Sequence, residues 1–230
     1  MNEIYNVSRN EKAGEIERPF TLLSDFDKLL STANKLEKEG SECEQDPTLI
    51  ESCMKAFTVK WDQQLNDTYR AVLKSLPDKE TEKLLQDSEI QWIKFKDADA
   101  KVSDNIKDPV LKLAAKEDVI RDRANELLSY GIGIENQDAV PDQIKAQQDE
   151  TNAIYREFLH TLDDTPGARK AAETSQHEWT AFMQKEYKFI DAIAPLAPRR
   201  GSDSHSNSVL KINIVRDRGR ELLTPINSRD

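Results

Sequence analysis

With 230 residues and a formal charge of −10, the chain has the length of one domain or two small ones, and its acidity argues against tight binding to phosphate backbones or anionic lipid heads. Seven Gly and nine Pro beside 33% charged residues supply too little turn chemistry for the many short strands of a sandwich or barrel, so helices are expected. No segment reaches the roughly 20 consecutive apolar residues of a membrane helix, and residues 1–19 have neither the basic start nor the apolar centre of a signal peptide, which leaves a cytoplasmic chain and a mature exported chain both open.

In chain order, residues 1–22 are polar and are expected to form a flexible lead-in. Ser24 caps a short helix to about Glu39 that carries Phe26, Leu29, Leu30 and Leu36. Asp46-Pro47 opens a long helix on which Ile50, Cys53, Met54, Phe57, Trp61, Leu65, Tyr69, Val72, Leu73 and Leu76 recur every three or four residues, and Pro77 ends it. Asp78 caps the next helix, with Leu85, Ser88, Trp92 and Phe95 on one face. Asp108-Pro109 starts another that carries Val110, Leu113, Ile120 and Leu127 to a stop near Gly131. A linker near Asn136 to Asp142 leads to a helix bearing Ile154, Tyr155, Phe158 and Leu162. After a Pro166-Gly167 turn comes one with Trp179, Phe182, Phe189 and Ile193, then a last one from Val209 to Leu223 stopped by Pro225.

Three blocks of sequence return in the same order. Asn66, Tyr69, Arg70, Leu73 and Leu76 are echoed 86 residues later by Asn152, Tyr155, Arg156, Leu159 and Leu162. Ser88, Trp92 and Phe95 are echoed 87 residues later by Ser175, Trp179 and Phe182. Arg121-Asp122-Arg123, followed by Glu126-Leu127-Leu128, returns 95 residues later as Arg216-Asp217-Arg218, followed by Glu221-Leu222-Leu223. The extra residues of the second copy fall in the Pro, Gly and Ser-rich stretch from Pro195 to Ser208, where insertion costs little. The expected fold is all-α, with two tandem three-helix antiparallel units of long helices, 23–134 and 135–230, and the short N-terminal helix in front.

Cys43, Cys53, Asp62, Leu65, Asn66 and Tyr69, then Trp92, Phe95, Lys96 and Asp97, with Arg123 and Leu127 at the end, follow the pattern of one helical family. The first copy resembles the lysozyme inhibitor LprI-like family, a domain of unknown function in most members. The chain departs from the pattern where the family's Gln is Glu89, its Arg is Lys96 and its later Cys is Ala100. The second copy keeps Asn152, Tyr155, Gln176, Trp179 and Phe182 and has no Cys, as a diverged duplicate would. The resemblance implies an exported, periplasmic or envelope protein that binds a lysozyme-type or other cell-wall-degrading enzyme.

Within that pattern, Cys43 and Cys53 look like a disulfide that pins an irregular lead-in to the start of a helix, worth about 2–3 kcal/mol; the alternative is a reduced pair with Cys53 filling the core face. Trp92 and Trp179, in phase with Phe95 and Phe182, are expected in the core rather than as surface anchors. Asn66 and Asn152 suit side-chain amides that bridge two helices. The two Arg-Asp-Arg triplets suit helix C-termini and carboxylates three or four residues away.

No nucleophile elbow, phosphate loop, zinc spacing or His cluster occurs, so no catalytic residue, metal or cofactor is expected. An enzyme acting on the wall itself would need a carboxylate pair such as Asp62 and Asp97, whose equivalents are Gln148 and Gln184. Two functional classes remain: a protein that blocks a basic cell-wall hydrolase or neutralises a secreted antibacterial toxin as its immunity protein, inserting the 129–141 or 195–208 loop, or a non-inhibitory envelope scaffold. Opposite charge favours a basic protein partner.

Overall fold

A computed structural model describes residues 20–43, 49–132, 141–162, 166–194 and 206–227. The helices are α1 (Phe20–Cys43), α2 (Ile50–Ser75), α3 (Lys79–Ser103), α4 (Pro109–Ile132), α5 (Pro141–Thr161), α6 (Pro166–Ile193) and α7 (Ser206–Asn227), and no strand occurs among the described residues. The all-α expectation holds. The Asp46-Pro47 cap, most of the 136–142 linker and most of the 195–208 insertion lie outside the described residues, as does the lead-in up to residue 19.

Local chemistry sets most of the boundaries. Asp78 accepts from the Thr81 amide at 2.7 Å, and Asp108 accepts from the amides of Val110 at 2.8 Å and Leu111 at 3.0 Å, so both carboxylates satisfy amides that an α-helix leaves free at its start. Other boundaries differ from the sequence reading. α1 begins at Phe20, so Ser24 lies inside it, and at 24 residues it is as long as its neighbours. Pro166 and Gly167 are the first residues of α6, not a turn, because a proline at the first helical position loses no bond that the helix could have made. α7 runs through Pro225 to Asn227, since a missing amide near a helix end removes a single bond.

The periodic face of α2 is buried as expected: Met54, Phe57, Trp61, Leu65 and Val72 point into the core, each large side chain contributing about 1.5–3 kcal/mol. Within residues 50–132 the neighbours are not those of a simple three-helix unit. α2 packs along α4, α5 packs along α7, and α3 packs along α6. Ser88 faces Glu186 and Asp99 faces Ser175, so α3 and α6 run antiparallel. One hydrophobic core holds Trp61, Leu85, Trp92, Phe95 and Leu127 together with Trp179, Phe182, Phe189, Ile190 and Val215. The Trp92–Phe95 block and its repeat Trp179–Phe182 thus share an interior, while Tyr155, Leu159 and Leu162 belong to a smaller cluster with Phe158 and Leu222.

α1 covers the α2–α4 pair: Gln64 donates to the Leu29 carbonyl at 2.9 Å, and Phe26 packs over Gly131 of α4. A β-carbon at Gly131 would lie 2.0 Å from Phe26 Cε1, so only glycine admits the buried ring there. Gly131→Ala is expected to destabilise the protein by about 1–3 kcal/mol through overpacking, read as a lower urea midpoint with an unchanged slope.

Candidate functional site

Because α2 lies on α4 and α3 on α6, α2 and α3 diverge after the tight connection at residues 76–78. They leave an open groove of about 450 Å³. Asp62, Leu65, Asn66 and Tyr69 line it from α2, and Gln86, Glu89, Ile90, Trp92, Ile93 and Lys96 line it from α3, both sets at the three- and four-residue spacing of one helix face. Leu65 and Trp92 are buried and form the floor, while Ile90 and Ile93 are 55% and 44% exposed. Lys96 Nζ lies 5.7 Å from the centre of the Trp92 ring. Burial raises the Tyr69 hydroxyl above its usual range, and the Glu89 charge adds to the effect.

Below the groove, Glu89 is one wall of a buried ion cluster. Arg123, with no exposed side-chain surface, donates from Nε and Nη2 to Glu89 Oε2 at 3.1 and 2.9 Å, and from Nη1 to Glu126 Oε2 and Glu186 Oε1, both at 2.9 Å. Its guanidinium lies 5.1 Å from the Phe182 ring centre, and Ser88 donates to Glu186. Removing one member of such a cluster costs about 3–5 kcal/mol because it strands a buried charge. The Tyr130 oxygen lies 2.8 Å from Glu126 Oε1 and 2.5 Å from Glu186 Oε1.

A parallel cluster surrounds Arg218, which donates to Asp99 Oδ1 and Glu221 Oε2 at 2.9 Å, to Ser175 at 2.8 Å and to Gln176 at 3.3 Å. Its guanidinium lies 4.9 Å from the Phe95 ring centre. Desolvation, partly offset by the neighbouring arginine, pushes Glu126 and Glu221 up to about 8.

The residues singled out in sequence separate into two groups. Asp62, Asn66, Tyr69 and Trp92 come together at the groove. Phe95 and Phe182 stack in the interior with centres 6.4 Å apart, Trp179 is buried in the same core, and Tyr155 packs half-buried beside Phe158 and Leu162. Asp97 is exposed. Neither Asn bridges helices: both are exposed, and Asn66 donates to the Asp62 carbonyl one turn back at 2.7 Å. The Cys43 side chain lies outside the described residues, while Cys53 packs half-buried against the core.

Arg123 and Arg218 do pair with carboxylates three residues on, as the triplets predicted, but their interior partners Glu89, Asp99 and Glu186 were not foreseen. A signal was available: Asp99 and Glu186 are 87 residues apart, the same offset that relates Ser88 to Ser175.

In the second half, the positions equivalent to Asp62 and Lys96 are Gln148 and Met183. These touch, with Gln148 Nε2 3.9 Å from Met183 Sδ, and so bridge α5 and α6 where the first half is open.

Residues 41–127 match the family described as lysozyme inhibitor LprI. No curated protein and no solved structure matches the chain.

The raised carboxyls give stability a pH dependence of definite sign. Folded Glu126 and Glu221 keep their protons up to about pH 8, whereas in the unfolded chain they lose them near the ordinary value of 4.5. The folded state therefore binds more protons between those limits, and stability falls as pH rises through that window. The urea midpoint is expected to drop from pH 6 to pH 9, and Glu126→Gln, which cannot ionise, is expected to flatten that drop.

Proposed function

We propose that this chain is an exported, non-catalytic inhibitor of a basic cell-wall-degrading enzyme, either a lysozyme or a secreted antibacterial toxin of that type for which it is the immunity protein. It acts in the periplasm or cell envelope by stoichiometric binding. The observation that carries this reading is the groove between α2 and α3. It lies wholly within the family-matched segment and sets exposed Ile90 and Ile93 beside the carboxylates of Asp62 and Glu89 on an aromatic floor.

Two isoleucines left in water on adjacent turns offer an apolar anchor whose burial by a partner is favourable, and the exposed Asp62 carboxylate across the groove suits a basic side chain. The formal charge of −10 supports the same choice, since opposite charge speeds encounter with a basic enzyme. Occlusion needs no reacting group in the inhibitor, and among the described residues no group of His, Cys, Asp and Glu is arranged to hold a metal ion.

The assay is titration of the protein into a basic muramidase, amidase or candidate toxin acting on peptidoglycan, with loss of activity at one equivalent as the expected result. Ile93→Glu is expected to weaken binding at least about tenfold, equivalent to 1.4 kcal/mol, with the unfolding midpoint little changed because Ile93 is not among the buried core residues. Full inhibition by this variant, or none by the parent against any wall hydrolase, would defeat the reading.

We also propose that Cys43 and Cys53, the two cysteines of the chain, form a disulfide joining the end of α1 to the second turn of α2. No cysteine among the described residues is a free thiol. Reduction is expected to lower stability by about 2–3 kcal/mol, and the untreated native protein is expected to take up no alkylating reagent by mass spectrometry.

A further inference from the structure

The contacts that join residues 50–132 to residues 141–227 follow a rule that neither the family match nor the packing order states. Those of Ser88, Arg123 and Phe182 pair a residue with the counterpart of its partner's equivalent, whereas Tyr130, which meets Glu186, has Pro225 at its equivalent position. Ser88 donates to Glu186; Ser175, 87 positions after Ser88, donates to Asp99, 87 positions before Glu186. Arg123 Nη1 meets Glu186 Oε1 at 2.9 Å, and its equivalent Arg218 meets Asp99 Oδ1 at 2.9 Å. Arg123 lies over Phe182 and Arg218 over Phe95.

Where a two-fold axis would pass, equivalent residues touch each other. Phe95 stacks on Phe182 with ring planes 7° apart, and Gln91 donates to Glu178 at 2.6 Å, 87 positions away. This is the arrangement of an isologous interface, in which one surface patch meets a copy of itself.

We infer that the α3–α4 face of the first half is a self-complementary pairing surface whose partner is another LprI-type helical unit, and that this chain is two such units fused, each supplying the other's partner. The first half carries both sides of each of these paired contacts. Arg123 and Ser88 donate from it, and its own Asp99 and Phe95 are the groups that receive Arg218 and Ser175 from the second half. A second copy of the first half would therefore present Asp99 and Phe95 to Arg123, with the acid one methylene shorter than Glu186. The pairing concerns folding and assembly and stands apart from the inhibitor reading.

The test is a chain in which residues 141–230 are replaced by a second copy of residues 46–132, with Cys53 of the added copy changed to Ser. The expected product is a monomer with one cooperative unfolding transition, coincident by helical and by tryptophan circular dichroism. Asp99→Ala is expected to lower its midpoint equally from either copy. A companion chain with Asp99→Glu in both copies restores the longer acid in case the shorter one leaves a gap. Should both chains lack fixed tryptophan environments, or unfold in two independent steps, the α3–α4 face is not self-complementary and the inference is overturned.

Discussion

Two buried arginine side chains set the packing of this molecule. A guanidinium removed from water needs anionic or dipolar partners in each of its donor directions, because a stranded buried charge is costly. α4 offers Arg123 only Glu126; the other donors are met by Glu89 on α3 and Glu186 on α6. Both of those helices must therefore lie against Arg123. Arg218 imposes the same demand from α7 through Asp99 on α3. The two demands are satisfied together only if α3 and α6 run side by side in opposite directions, which is how they pack. Aromatic faces complete each pocket, with Phe182 beneath Arg123 and Phe95 beneath Arg218.

The groove is a consequence of that arrangement. α3 lies along α6, while α2 lies along α4 with α1 laid over the pair. What remains between α2 and α3 is a trough with a packed floor at Leu65 and Trp92 and, among the described residues, no helix to close it. Glu89 belongs to both places, lining the trough and binding Arg123 through one oxygen. The trough wall is thereby anchored to the most constrained part of the interior. A surface held in this way loses little conformational freedom when a partner binds, which favours affinity for a given contact area.

Much of this was legible in the sequence. The helices, the Asp78 and Asp108 caps and the apolar face of α2 follow from periodicity and helix-end chemistry, and the in-phase placement of Trp92 with Phe95 put both in the core. Partner choice was not legible. A periodic face says that a helix is covered, not by which neighbour, so the repeat suggested two tandem three-helix units without showing that α3 of one packs on α6 of the other. Arg123 read as a helix-end cation because Glu126 lies three residues on; nothing local marks Glu186, 63 positions away, as its fully buried partner. Asn66 misled for the opposite reason, since its acceptor at Asp62 is local and leaves it exposed.

Comparing the two halves separates what folding requires from what it leaves free. The interior sets agree: Arg123 with Arg218, Ser88 with Ser175, Phe95 with Phe182, and an acid at both 99 and 186. Changing any polar member leaves a buried group unsatisfied and truncating either ring leaves a cavity, and so the fold itself holds them. At the groove the halves part company, with Asp62 against Gln148, Ile90 against His177, Ile93 against Thr180 and Lys96 against Met183. None of the first-half residues in that set has a buried side chain, so packing does not dictate them. Exposed isoleucines are unfavourable for a surface that has only to be dissolved, and in the other half those positions are polar. The first half keeps them beside an open trough, and the second bridges the same place with Gln148 and Met183. One half is thus left to complete the fold while the other presents the surface on which the proposed binding depends.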